Sequence, residues 1–199
     1  VAVADGFLLV LPADQLAPAQ ARLAKYAVFS KVTLSERPLA IQGVLGHQAR
    51  ARIEDLGWVW PEAAQQVSHH GDGLLIRLPG QDRALWLGEA AAATTDPVAL
   101  AAWDSAVVAS GELLLPAAAS ERYQPQELDY HQLHGVSYQK GCCLGQEIVA
   151  RLYFRGQLKT ALMRLSAHLP AGDSDPGLQL GQDIMADGRR VGEVVNAAW

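Results

Sequence analysis

No apolar run in this 199-residue chain is longer than a strand, which bounds the elements it can build. Phe7-Leu8-Leu9-Val10-Leu11 follows Asp5-Gly6 and reads as a buried strand. Pro12 and Asp14 then open a helix with Leu16, Ala19, Leu23 and Ala27 on one face. Leu39, Ile41, Gly43 and Leu45 alternate as a strand with one buried side would. A helix is expected from about His47 to Leu56, ended by Gly57, and His69-His70-Gly71-Asp72-Gly73 reads as a turn. Leu74 to Leu78 and Ala84 to Leu87 look like hairpin-related strands around Pro79-Gly80. Asp96-Pro97 is a capped helix start, with Leu100, Trp103 and Val107 on one face and a stop near Gly111. Strands and helices mixed without a strict βαβ rhythm point to an α+β fold.

From Ala117 to Gln139 the chain turns polar and irregular, a long loop of the kind that carries function more often than packing. Beyond Lys159 the texture changes again. Ala186-Asp187-Gly188-Arg189 is a hairpin signal between Ile184-Met185 and Val191 to Val195, and residues 159–199 read as the start of a small β-domain. The expected division is residues 1–116, 117–158 and 159–199. Half of the residues are hydrophobic and 19% are charged, the profile of a folded globular protein. A net charge of −5 argues against a nucleic-acid backbone binder, although Arg151, Arg155, Lys159 and Arg164 cluster late in the chain. No stretch approaches membrane-spanning length. The chain opens on Val1, and Asp5 precedes the first apolar stretch, so no signal peptide is expected and the sequence reads as one cut from something longer. Cys142 and Cys143 are neighbours and build no disulfide framework, so reduced thiols and a cytoplasmic setting are expected.

Chemistry concentrates in Lys140-Gly141-Cys142-Cys143-Leu144-Gly145-Gln146-Glu147. A thiol acts as nucleophile or soft-metal ligand only as the thiolate, which needs positive charge or amide donors nearby. Lys140 offers the charge, and Gly141 and Gly145 permit backbone conformations that expose amides. Gln146 and Glu147 bring an amide and a carboxylate suited to the edge of a heterocycle. Glu147 and Arg151, four apart, would pair on a helical turn. On the residues alone, a buried cysteine in a glycine turn stands as an equal alternative. His131 and His134 precede the cysteines, but adjacent cysteines serve poorly as two of the four ligands of a structural zinc, and no metal site is expected.

The run KGCCLGQEIVARLYFRGQLK resembles the signature of the YgfZ family, folate-binding proteins related to the aminomethyltransferase of glycine cleavage. It matches that family's pattern at Lys140, Gly141, Cys142, Gly145, Gln146, Glu147, Ala150, Arg151, Arg155, Gly156 and Lys159. Leu23 to Leu34, LAKYAVFSKVTL, resembles a second family segment. Gln124-Pro125-Gln126 and Gly135-Val136-Ser137-Tyr138 fall on its approach to the cysteine loop. Departures are Cys143 for the usual tyrosine, Leu144 for threonine and Thr160 for arginine. The family's N-terminal portion, with a second tryptophan of its folate site, and the end of its C-terminal β-domain have no counterpart here.

The resemblance implies an aminomethyltransferase-like folate-binding fold with the start of a small C-terminal β-barrel. It implies tetrahydrofolate as cofactor and a role in the synthesis or repair of iron–sulfur clusters. The implied partners are iron–sulfur client proteins, including the enzymes that methylthiolate tRNA, with no direct nucleic-acid contact and no membrane. Cys142 is then the functional thiol with Lys140 beside it, Trp103 an aromatic wall for the pterin, and Gln146, Glu147 and Arg151 further cofactor contacts. A flat indole beside a flat pterin is physically sensible; without the resemblance, a tryptophan on an apolar helix face reads as a core residue. An accessory factor fits this pattern better than a conventional enzyme. The rival is a folate-dependent one-carbon transferase.

Overall fold

A computed structural model describes residues 1–80, 82–89, 96–141, 145–167 and 177–198. Its central feature is a four-stranded antiparallel sheet of order β3-β6-β5-β4: β3 is Ala40–Leu45, β4 Val67–His70, β5 Gly73–Arg77 and β6 Arg83–Gly88. Gly71 and Asp72 close the tight turn between β4 and β5, with His70 opposite Gly73. His69 and His70 are therefore strand residues rather than turn residues. The hairpin around Pro79-Gly80 forms as expected, with Ile76 opposite Leu85.

Both faces of this sheet carry apolar cover. On one, Val44, Leu75 and Ala84 pack with Trp58 and Trp60, and with Ala49 and Ile53 of helix α2 (His47–Asp55). On the other, Leu74, Ile76 and Leu87 meet Val1, Val3, Leu8, Val10 and Leu39. Two-sided burial overturns the expected facing of β3. Val44, on the set thought to face water, is buried, whereas Ile41 is 50% exposed. A period of two identifies the strand but not which side is deeper once both sides are covered.

The N-terminal run is a second correction. Phe7 to Leu11 is no buried strand: β1 (Ala2–Val3) and β2 (Gly6–Phe7) form only a two-residue ladder, and the chain beyond is irregular. Leu8 and Val10 point to the sheet, while Phe7 is 82% exposed and Leu9 59%. Helix α1 spans Leu16–Ala27 after a short 3-10 turn, with Leu16, Ala19 and Ala27 half-buried on the expected face. Asp14 accepts a hydrogen bond from the Ala117 amide at 2.7 Å, tying the start of α1 to residues 114–117. Helix α3 runs Pro97–Ser110, capped by Asp96 Oδ1 accepting from the Val98 amide at 3.0 Å, and ends at Gly111 as predicted.

The chain divides into two units, one of residues 1–103 with 114–117 and one of residues 104–113 with 118–199. In the second, residues 124–135 form successive turns rather than an open loop; Tyr130 N bonds Pro125 O and Gly135 N bonds Tyr130 O. Ala119, Gln126 and Leu128 are buried there. Helix α4 spans Gln146–Arg155, and β7 (Asp183–Ala186) pairs with β8 (Arg189–Glu193) through the expected Asp187-Gly188 turn. Glu193 accepts from Arg122 Nη2 at 3.1 Å, from Arg190 Nη2 at 2.8 Å and from the Tyr123 hydroxyl. The molecule is mixed α+β.

Candidate functional site

Helix α4 is built by good helix formers (Gln146, Glu147, Ala150, Arg151, Leu152) between two glycines. Gly145 sits in the left-handed region, with φ of 81°, which an L residue with a Cβ adopts only at a cost. At the far end Gly156 is extended, and a Cβ there would lie 2.8 Å from Leu152 Cα, too close for any other residue. Glu147 in the first turn and Arg155 in the last both complement the helix dipole.

The predicted site residues separate on this scaffold. Cys142, with Cys143 and Leu144, lies outside the described residues. Lys140 is exposed. Gln146 is half-buried, whereas Glu147 and Arg151 stand on the exposed face, so the helix does not offer the amide and the carboxylate on one facet. The expected Glu147–Arg151 ion pair is absent. The two share a helical turn, but each side chain is free to extend into water, where such a pair gains little.

Sequence reasoning missed what holds α4 in place. Gln126, only 4% exposed, donates from Nε2 to Val149 O at 2.7 Å, and Tyr138 stacks on Tyr153 with ring centroids 3.8 Å apart and planes 17° from parallel. Past the helix, Thr160 Oγ1 donates to Glu127 Oε1 at 2.6 Å, and Gln124 N donates to Glu127 Oε2 at 2.8 Å. No periodicity marks these residues, because the segment has none.

Trp103 is half-buried on α3, in the first unit. Its ring lies over Gly43, where a Cβ would fall 2.7 Å from the indole, and the Arg83 guanidinium carbon is 5.3 Å from the ring centroid. Arg83 is 1% exposed, and burial pushes its guanidinium below the ordinary value. A desolvated cation on an indole is worth about 2 kcal/mol. The seat is thus specific to an aromatic ring, and part of the indole stays open. Arg83 carried no signal in the sequence, since a cation at a strand's first residue normally faces water.

Among the described residues, no group of three or more His, Cys, Asp or Glu could hold a metal ion, and no helix is long and apolar enough to cross a membrane. No family model matches the sequence. Curated relatives do. The tRNA-modifying protein YgfZ of Serratia proteamaculans (strain 568) is 34% identical over 209 residues, covering 98% of this chain and 62% of the relative. That of Escherichia coli O127:H6 is 34% identical over 207 residues, covering 97% of this chain and 62% of the relative. That of Yersinia pseudotuberculosis serotype O:1b is 33% identical over 189 residues, covering 88% and 56%. The chain therefore spans about three-fifths of the length of these relatives.

Proposed function

The chain belongs to the YgfZ family, and from that premise we propose that it is a tetrahydrofolate-binding accessory factor of tRNA modification with Cys142 as its functional thiol. The observation that carries this reading is the family signature, Lys140-Gly141-Cys142 to Gly145-Gln146-Glu147, running through a left-handed glycine straight into α4. The clients we propose are the iron–sulfur enzymes that methylthiolate tRNA, and the setting cytoplasmic. One cysteine does not hold a cluster, which generally takes four thiolates, so Cys142 would act transiently at a client's surface. The rival one-carbon transferase is not favoured, since the relatives are named for tRNA modification.

For the cofactor, the support is the Trp103 seat. An indole held against Gly43 and the Arg83 guanidinium is a rigid aromatic wall of the kind that suits a flat pterin. Bound tetrahydrofolate would supply a reduced pterin whose nitrogens carry one-carbon groups. Trp103 would orient that ring, and the Arg83 cation over the indole would hold Trp103 still. Gln146, Glu147 and Arg151 are proposed as further folate contacts on the family pattern alone.

The deciding experiment replaces Cys142 in the complete protein. A Cys142→Ser variant should abolish support of tRNA methylthiolation, measured as the modified nucleoside in total tRNA, while the protein accumulates normally. Full retention of the modification would overturn the assignment.

A further inference from the structure

Helix packing by apolar side chains is non-directional and leaves a helix some freedom to turn or slide on its support. A buried hydrogen bond to one carbonyl removes that freedom, because only one register satisfies it. Gln126 makes such a bond. Its side chain is buried, and its Nε2 reaches Val149 O at 2.7 Å in the body of α4. The second amide atom, Oε1, is buried without a hydrogen-bond partner among the described residues. A buried acceptor left unmade costs free energy that an apolar residue of the same size would not. The amide is therefore a poor choice for stability and a good one for register, the use to which buried polar groups are best suited.

The contacts around it act on the same helix. Tyr138 stacks on Tyr153, one turn beyond Val149. Glu127, held by the Gln124 amide, takes the Thr160 hydroxyl just past the end of α4. Residues 124–138 thus touch the helix at a carbonyl, at a ring and beyond its last turn, and Gln126 makes the backbone contact through a buried polar group.

We propose that Gln126 is a positioning residue that fixes the register of α4 and with it the Gly145-Gln146-Glu147 turn that opens the helix. Its functional meaning rests on the reading of the Lys140–Glu147 signature given above; the geometric claim does not.

The test uses the complete protein with Gln126→Leu and Gln126→Glu, followed by amide hydrogen exchange and by the pH dependence of Cys142 alkylation with iodoacetamide. Gln126→Leu should speed exchange in α4 about five-fold, the equivalent of one net hydrogen bond at about 1.4 kcal/mol per ten-fold. Exchange in β5 and β6 should not change, and the alkylation profile should shift along the pH axis. Gln126→Glu should show the same faster exchange at neutral pH. It should regain protection in acid, where its protonated carboxyl again donates to Val149 O. Unchanged α4 exchange in both variants would overturn the proposal. So would equal acceleration in the sheet, or no acid rescue, each of which marks a merely structural side chain. If Cys142→Ser keeps full client activity while α4 responds as described, the functional reading falls and the positioning role stands.

Discussion

At the scale of single residues, Trp103 depends on what is missing opposite it. Gly43 has no side chain, and the indole fills that space. Gly43→Ala would place a methyl group 2.7 Å from the ring and force it off Arg83. Because the wall is indole and sheet backbone, neither of which gives easily, a loss of about 1–3 kcal/mol is expected, read as a lower urea midpoint at constant slope. An unchanged midpoint would show that Trp103 is not fixed there. Trp103 itself was legible as an aromatic on the face of a helix; its role as a ligand wall is the proposal made above. Arg83 was not legible, because nothing in a linear sequence announces that a strand's opening cation will be covered by a ring from a distant helix.

Among elements, α1, α2 and α3 were legible because their ends are written in single residues: Asp96 caps α3, and Gly111 stops it; α4 was legible only as a helical turn shared by Glu147 and Arg151. The strands were found but their facing was not, since β3 is covered on both sides and its deeper set is decided by partners far along the chain. Residues 117–139 were read as a loop and are indeed without long elements, yet Tyr123 and Tyr130 anchor them. Tyr130 donates to Leu113 O and Tyr123 to Glu193. Burial raises both phenols above 10.0, with the Glu193 hydrogen bond adding to Tyr123. Ionising them costs more in the folded chain than in the unfolded one. Their stabilising contribution is therefore intact below the ordinary tyrosine value and lost as pH rises through and above it. Urea midpoints should hold steady to pH ~9 and fall beyond pH ~10, and Tyr130→Phe should flatten that fall. A midpoint indifferent to alkali would remove these hydroxyls as anchors.

On the scale of the whole molecule, charge is unevenly placed. The chain is net −5, yet Lys140, Arg151, Arg155, Lys159 and Arg164 face Glu147 alone between residues 138 and 164. The family and the mixed architecture were legible in the sequence because a signature is local. Apolar surface was less so: Phe29 is 89% exposed, Val28 79% and Met163 74%. The proposed cofactor is a question for the complete protein. Titration with tetrahydrofolate should quench its tryptophan fluorescence, and Trp103→Phe should remove most of the response, the other tryptophans serving as an internal background. Equal quenching in that variant would place the ligand elsewhere.

The Tyr138–Tyr153 stack has an optical consequence. Two identical chromophores stacked at 3.8 Å share their excitation, and the sign and size of the resulting couplet in the near-ultraviolet circular dichroism depend on how the rings are turned on one another. One of the rings belongs to α4 and the other to the turns beneath it. Any ligand, client or variant that shifts this helix would change the couplet, giving the molecule a label-free gauge of its own position.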